Sequence, residues 1–247
     1  MAELLRVESL ARSFGAFQVL KDMSFSVSEG EIVGLLGPNG SGKSTALNIV
    51  SGFLQRSFGS VSFAGDDISD AHVTKITRLG LVRTFQLPSM PHRMTVREVL
   101  RAGRREGSGW LSPVRPVGEV DEMLARFNLG HVADQPASAL SGGQKKLLSV
   151  ATALRARPKL LCLDEPTAGV HVSLRTQLVG ILKDYVAAGG ACLVVEHDML
   201  FVRELCSRCV VLDRGEIIAD CPPGELERNA RVVEAYLGKA AQRAKVA

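Results

Sequence analysis

Two kinds of apolar periodicity run along this chain, and they assign its strands to two different sheets. Met23-Ser24-Phe25-Ser26-Val27-Ser28 alternates apolar with polar, and Ser60-Val61-Ser62-Phe63 repeats the alternation between Gly59 and Gly65. Alternation turns every second side chain to one face, so these segments predict half-buried antiparallel strands. Residues 31–36, 159–163 and 191–195 are instead continuous apolar runs, each followed by a turn and a helical period. Strands of that kind are covered on both faces, as in a parallel sheet between helices. Helices are expected at residues 45–50, on a face made by Leu174, Leu178, Ile181, Leu182 and Tyr185, and at residues 199–205 behind Asp198 as N-cap.

Between about Thr95 and Ala139 the strand runs vanish and arginine becomes frequent, while Gly107-Ser108-Gly109 and residues 113–118 break short helices such as 120–127. This predicts a small helical subdomain inserted between core strands. Further on, residues 210–218 read as a hairpin turning at 213–215, and Pro222-Pro223-Gly224 ends the sheet region. Short helices follow at 225–228 and 230–237, and a polar, basic segment from Lys239 to Ala247 is expected to fray. The fold class is therefore α/β and doubly wound, with a mostly parallel core sheet, an N-terminal antiparallel β subdomain and an inserted α-helical subdomain.

A chain of 247 residues with 46% hydrophobic content can bury one large domain with a small appended one. Its net charge of +4 suits an anionic ligand or a site near anionic lipid but is too weak to imply nucleic acid. The N-terminus lacks a basic segment leading into a long apolar core, and no apolar run approaches the roughly 18 residues of a membrane span. The chain is expected to stay in the cytosol and to borrow any membrane role from a partner. Of five cysteines only Cys206 and Cys209 stand at C-x-x-C spacing, with no second pair or nearby histidine to complete a metal site, so they read as small buried hydrophobes.

Chemistry gathers where the apolar strands end. Gly37, Pro38, Asn39, Gly40, Ser41, Gly42, Lys43, Ser44 and Thr45 match G-x-x-x-x-G-K-[ST] between a buried strand and a helix. Glycines there let backbone N–H groups wrap a phosphate chain, Lys43 adds charge at its terminal oxygens, and the Ser44 hydroxyl can ligate Mg²⁺. That motif alone leaves kinases, GTPases and motor ATPases open. The next buried run ends in Asp164-Glu165, which sets Asp164 toward the metal and Glu165 toward an attacking water. His197 ends another apolar strand at the same carboxyl edge, where it can donate to a γ-phosphate. Read by itself it would be a capping or core histidine; the neighbouring motifs reverse that reading. Gln86 closes Arg83-Thr84-Phe85-Gln86 just before the insert and can reach the metal or the water, although alone it would be ordinary loop chemistry. Phe14, ahead of the Gly15 turn, can stack on adenine or simply belong to the core.

Leu140-Ser141-Gly142-Gly143-Gln144 is a second anion-binding feature, with two glycines behind a serine at the start of a predicted helix. Since a complete phosphate loop already lies upstream, this one is expected to serve a phosphate held mainly by another copy of the domain.

In order and spacing these six elements resemble the ATP-binding subunits of ABC (ATP-binding cassette) transporters, over roughly residues 4–238. The resemblance implies a P-loop NTPase fold, ATP and Mg²⁺ as ligands, and a head-to-tail dimer that encloses two ATP molecules between the phosphate loop of one subunit and the signature of the other. It implies that Phe14 is the adenine-stacking aromatic and that Gly37 to Thr45 form the Walker A loop. Gln86 becomes the Q-loop glutamine, Ser141, Gly142, Gly143 and Gln144 the signature, Asp164 and Glu165 the Walker B pair, and His197 the switch histidine. Catalysis would rest on Glu165, His197, Gln86 and Lys43, with Ser44, Gln86 and Asp164 toward the metal. The cassette would cover residues 1–238, with its helical insert at about 95–157 and a flexible basic tail at 239–247. Implied partners are a second ABC ATPase subunit, identical or different, transmembrane permeases and, indirectly, an extracytoplasmic solute-binding protein, with no nucleic acid. The implied place is the cytoplasmic face of the cell membrane.

Arg83-Thr84-Phe85-Gln86 followed by Met94-Thr95-Val96, Glu196-His197-Asp198-Met199, and Val233-Glu234-Ala235-Tyr236-Leu237-Gly238 narrow the resemblance to the ATPases of branched-chain amino acid importers and their relatives for urea, short amides or aromatic acids. The lipopolysaccharide-exporting ATPase shares a similar ending but usually lacks the Arg-Thr-Phe-Gln form, which favours an importer. Three departures stand out: Lys145 to Thr152 replaces a usual arginine-rich run, the insert is short, and His171 replaces an Asp or Asn that bonds across the dimer. The last predicts unequal ATP sites in a heterodimer. Arg93, Arg97, Arg101, Arg104 and Arg105 form either a docking face for an intracellular helix of the permease or for acidic lipid, or a solvated basic face. Two rival classes fit less well. Soluble ABC ATPases of DNA or the ribosome need coiled coils or a second cassette, and a non-hydrolytic regulator would not need the Asp164-Glu165 pair with His197.

Overall fold

The structure, a computed structural model, describes residues 2–103 and 117–243. In chain order its elements are β1 (Glu3–Phe14), β2 (Phe17–Ser28), β3 (Ile32–Leu36), α1 (Lys43–Val50), β4 (Phe58–Phe63), β5 (Asp66–Asp67), α2 (Val73–Leu79), β6 (Leu81–Arg83), α3 (Val96–Ala102), α4 (Val117–Arg126), α5 (Gly142–Arg155), β7 (Leu160–Asp164), α6 (Val172–Ala187), β8 (Ala191–Val195), α7 (Met199–Leu205), β9 (Arg208–Asp213), β10 (Glu216–Cys221) and α8 (Ala230–Arg243). An antiparallel sheet runs β2-β1-β4-β5, and a six-stranded sheet runs β10-β9-β3-β8-β7-β6 with every pair parallel except β9 with β10.

The continuous apolar runs became β3, β7 and β8, each buried at all five positions. Their side chains alternate between two cores. Val33, Leu35, Leu160, Cys162, Leu193 and Val195 face the antiparallel sheet, α1 and α2, whereas Ile32, Leu36, Leu161, Leu163, Cys192 and Val194 face the helices from α3 to α7. The six-stranded sheet is thus the middle layer, which is why its strands carry no polar face. The alternating segments fall in β2 and β4 as expected, but β2 is twelve residues long and pairs with β1 through repeated register shifts. Such bulges interrupt the two-residue period, so alternation reveals only the regular half of the strand.

Between β6 and β7 the described chain is helical. Thr95 starts α3 with a full capping box through Glu98. Arg97 pairs with Asp121 on α4 and with Asp134, so it braces the helical region from within and does not belong to a free basic face. Arg93 and Arg101 are exposed, and Arg104, Arg105 and the Gly107-Ser108-Gly109 break lie outside the described residues. Asp198 caps α7 by accepting from Leu200 N and Phe201 N, as its place before the apolar period predicts. The hairpin of β9 and β10 turns at Arg214-Gly215, and α8 runs on to Arg243, into the segment read as tail. Cys162, Cys192, Cys206 and Cys209 are buried free thiols, and burial pushes Cys162 up to about 12. They pack as hydrophobes. Among the described residues no helix is long and apolar enough to cross a membrane.

Candidate functional site

In the order β3-β8-β7-β6 four parallel strands end side by side, so the loops bearing Gly37, His197, Asp164 and Gln86 share one edge of the sheet. At the first of these the chain passes from β3 into α1 through Gly42, with φ 112°. A Cβ there would stand 2.6 Å from Leu20 Cδ2, so glycine answers both the dihedral and the close approach of β2. Lys43 Nζ donates to the carbonyls of Gly37 and Pro38 at 2.8 and 3.1 Å. Ser41 Oγ is buried without a hydrogen-bond partner, and Ser44 faces solvent in the first turn of α1. An orphaned buried hydroxyl at a loop-to-helix junction is a donor that a phosphate oxygen satisfies. The hairpin whose Leu20 meets Gly42 also carries Phe14, 48% exposed, with the Arg12 guanidinium 4.5 Å from its ring centroid. One ring face is covered by that cation, which leaves the ring a stacking platform for a planar base.

Glu165 lies at the centre of the other three loops. Its Oε2 accepts from Gln86 Nε2 at 2.6 Å, and its Oε1 lies 2.8 Å from His197 Nε2. An ionised carboxylate only accepts, so Nε2 is the protonated ring nitrogen in this pairing. Glu165 has φ 48°, a left-handed backbone that a side chain of its size rarely takes. Both of its backbone polar groups are held, N by Val195 O at 2.9 Å and O by Lys146 Nζ at 2.6 Å. Burial lowers the Lys146 pKa, opposed by the nearby carboxylates of Glu165, Glu196 and Asp164.

Asp164 is met by Arg83 rather than by the other predicted residues. Arg83 Nη2 stands 2.9 Å from Asp164 Oδ2, with the two side chains 6% and 10% exposed. The same guanidinium donates to Asn48 Oδ1 at 2.6 Å and Ser51 Oγ at 3.1 Å on the α1 side, and it lies near the rings of Phe53 and Phe85. Among the described residues no three His, Cys, Asp or Glu side chains gather as a metal site. Ser44, Asp164 and Gln86 supply a hydroxyl, one carboxylate and an amide. That all-oxygen set suits Mg²⁺, which completes its shell with water and phosphate oxygens and needs no protein cage.

Two further residues brace these loops, and neither was a site candidate from the sequence. Glu196, 3% exposed, accepts from Thr167 N and Oγ1 through Oε1 and from His197 N and Asp198 N through Oε2, so it ties the turn after β7 to the turn after β8. Arg175 on α6 donates to Val170 O at 3.1 Å and pairs with Asp198. A carboxylate closing a fully apolar run was the available signal for Glu196; Arg175 offered none.

Ser141 and Gln144 form a capping box at the start of α5, with Ser141 N donating to Gln144 Oε1 at 3.0 Å and Gln144 N donating to Ser141 Oγ at 3.3 Å. Ser141 and Gly142 are exposed. Gly143 lies against the turn after β7, where a Cβ would meet Gly169 O at 2.7 Å. His171, exposed, caps α6 by accepting from Ser173 N at 3.4 Å.

Residues 20–168 match the family described as ABC transporter. The chain is 36% identical over 247 residues to a probable branched-chain amino acid transport ATP-binding protein LivG of Archaeoglobus fulgidus, covering 96% of each. It is 34% identical over 236 residues to the lipopolysaccharide export system ATP-binding protein LptB of Haemophilus influenzae, covering 96% of this chain and 98% of that one. A crystal structure of the ADP conformation of an ATP-binding cassette of an ABC transporter superposes with a TM-score of 0.84 at 33% identity, covering 96% of this chain and 100% of the other.

Proposed function

The chain belongs to the ABC transporter family as an ATP-hydrolysing subunit, and from that premise we propose that it energises import of a small polar solute, of the branched-chain amino acid, amide or urea class, through partner permeases. The solute class is supported by the LivG relatives and by Arg83-Thr84-Phe85-Gln86. Its place is then the cytoplasmic face of the membrane, docked on the permeases as one of two cassettes.

Gly37, Pro38, Asn39, Gly40, Ser41, Gly42 and Thr45 wrap the phosphates of ATP, and Lys43 turns its ammonium from the carbonyls of its own loop to the β and γ oxygens. Phe14 stacks on the adenine. Ser44, Asp164 and Gln86 hold Mg²⁺, which supplies charge neutralisation at the phosphates when bound. Glu165 accepts a proton from the attacking water. His197 turns Nε2–H to a γ-phosphate oxygen. Ser141, Gly142, Gly143 and Gln144 close on the phosphate held by the second subunit, so each ATP is hydrolysed between two chains.

The observation that carries this reading is the pair of bonds on Glu165: a glutamine and a histidine from two separate loops converge on one carboxylate at the sheet edge that also carries the phosphate loop. The test is Glu165→Gln, which keeps size and polarity but removes the base. It should bind ATP within about three-fold of the parent and lose at least about 100-fold in turnover; near-normal turnover removes Glu165 from the mechanism. A second reading, lipopolysaccharide export, has the LptB likeness behind it. Proteoliposomes holding the chain with its co-purified membrane partners separate the two, through ATP-driven uptake of labelled leucine, urea or short amides against ATP-driven extraction of lipopolysaccharide.

A further inference from the structure

The first turns of α5 lie on the turn that follows β7. Gly143 and Lys146, three positions apart and so on one face of the helix, make the contact. At Gly143 the approach is close enough that a Cβ would stand 2.7 Å from the backbone oxygen of Gly169. At Lys146, 8% exposed, the ammonium reaches to 2.6 Å from Glu165 O. A buried ammonium is costly unless it is paired, so this bond holds the helix and the turn in one arrangement. It falls on the residue whose φ is 48° and whose carbonyl also accepts from Ala168 N at 3.4 Å, and with the bond from Glu165 N to Val195 O it holds the peptide groups on both sides of that Cα.

We propose that Lys146 is a positioning residue that ties the signature to this chain's own catalytic carboxylate. When residues 141–144 close on a phosphate held by the second subunit, α5 carries the movement through Lys146 and Gly143 into the turn of residues 165–169 and sets the aim of Glu165. This rests on the composite-site reading above and adds to it a route between the two sites within a single chain.

Amide hydrogen exchange on the purified full chain tests the tether, with β8 as internal reference. Lys146→Met should speed exchange across residues 165–170 about ten-fold, the loss expected for a charge-assisted bond. Lys146→Arg, which keeps the charge, should restore it to within about two-fold. The melting temperature should move by less than about 3 degrees. In ATP turnover, Lys146→Met should lower kcat about ten-fold with KM unchanged, again rescued by arginine. Gly143→Ala, which leaves the lysine in place, should speed exchange over the same residues. Unaltered exchange at 165–170 in Lys146→Met, or equal acceleration throughout the chain, overturns the proposal. Glu165→Gln keeps the backbone oxygen that Lys146 holds, so it should exchange slowly whatever its turnover. Normal turnover there would defeat the hydrolysis reading and leave the exchange result standing.

Discussion

Arg83 settles the charge of the site. Its guanidinium is the counter-ion of a carboxylate almost shut off from solvent, and its Nη1 donates to both Asn48 and Ser51. Removing one partner of such a pair leaves a buried charge alone, which costs about 3–5 kcal/mol. Arg83→Met should therefore lower unfolding free energy by about 3 kcal/mol in urea melts. Arg83→Lys should recover only part of that, because a point charge cannot bridge Asp164, Asn48 and Ser51 together; equal melts for the lysine and methionine variants would show that the charge does not matter. In the sequence Arg83 was visible only as the first letter of a motif ending in Gln86. Its partner Asp164 lies 81 residues away, and periodicity, which reports only local spacing, carries no trace of such a pairing. The same applies to Lys146 beneath Glu165. By contrast Gln86, Glu165 and His197 were individually readable, because each follows the end of a strand within three residues, and parallel strands deliver their ends to one edge.

Between elements the connections are made by caps and braces rather than by apolar contact alone. Asp198 starts α7 and also pairs with Arg175, which in turn holds Val170 O. Asp198→Ala removes the cap and the ion pair together, and should cost about 1–2 kcal/mol. Asp198→Asn, which keeps a capping oxygen, should cost less than half as much in the same melts, and an equal loss would assign the whole effect to the charge. The cap was legible because a short polar residue before an apolar period has a local cause. The first sheet was less so: β1 and β2 pair through several register shifts, each of which breaks the alternation by which a half-buried strand is recognised. The helical insert announced itself by composition, whereas the face it presents to the turn after β7 depended on tertiary packing.

The molecule as a whole is a middle sheet between two cores, with the phosphate loop, Gln86, Asp164, Glu165 and His197 at one edge, Phe14 on the β1–β2 hairpin and the exposed signature at the start of α5. On the function proposed for it, a chain so arranged works as one of a pair. With Glu165→Gln slowing turnover, Mg-ATP should double the mass seen by light scattering, and EDTA should return it to that of one chain. An unchanged mass at saturating ATP would argue for a different partner from a second copy of this chain. The left-handed backbone of Glu165 has a consequence for how this protein can change over generations. Glycine, asparagine or aspartate would relax a conformation that holds about 1 kcal/mol or more against a longer side chain. Under the hydrolysis role proposed for Glu165, selection for heat tolerance alone would favour those residues at position 165 at the expense of turnover, so durability and work pull against each other at a single codon.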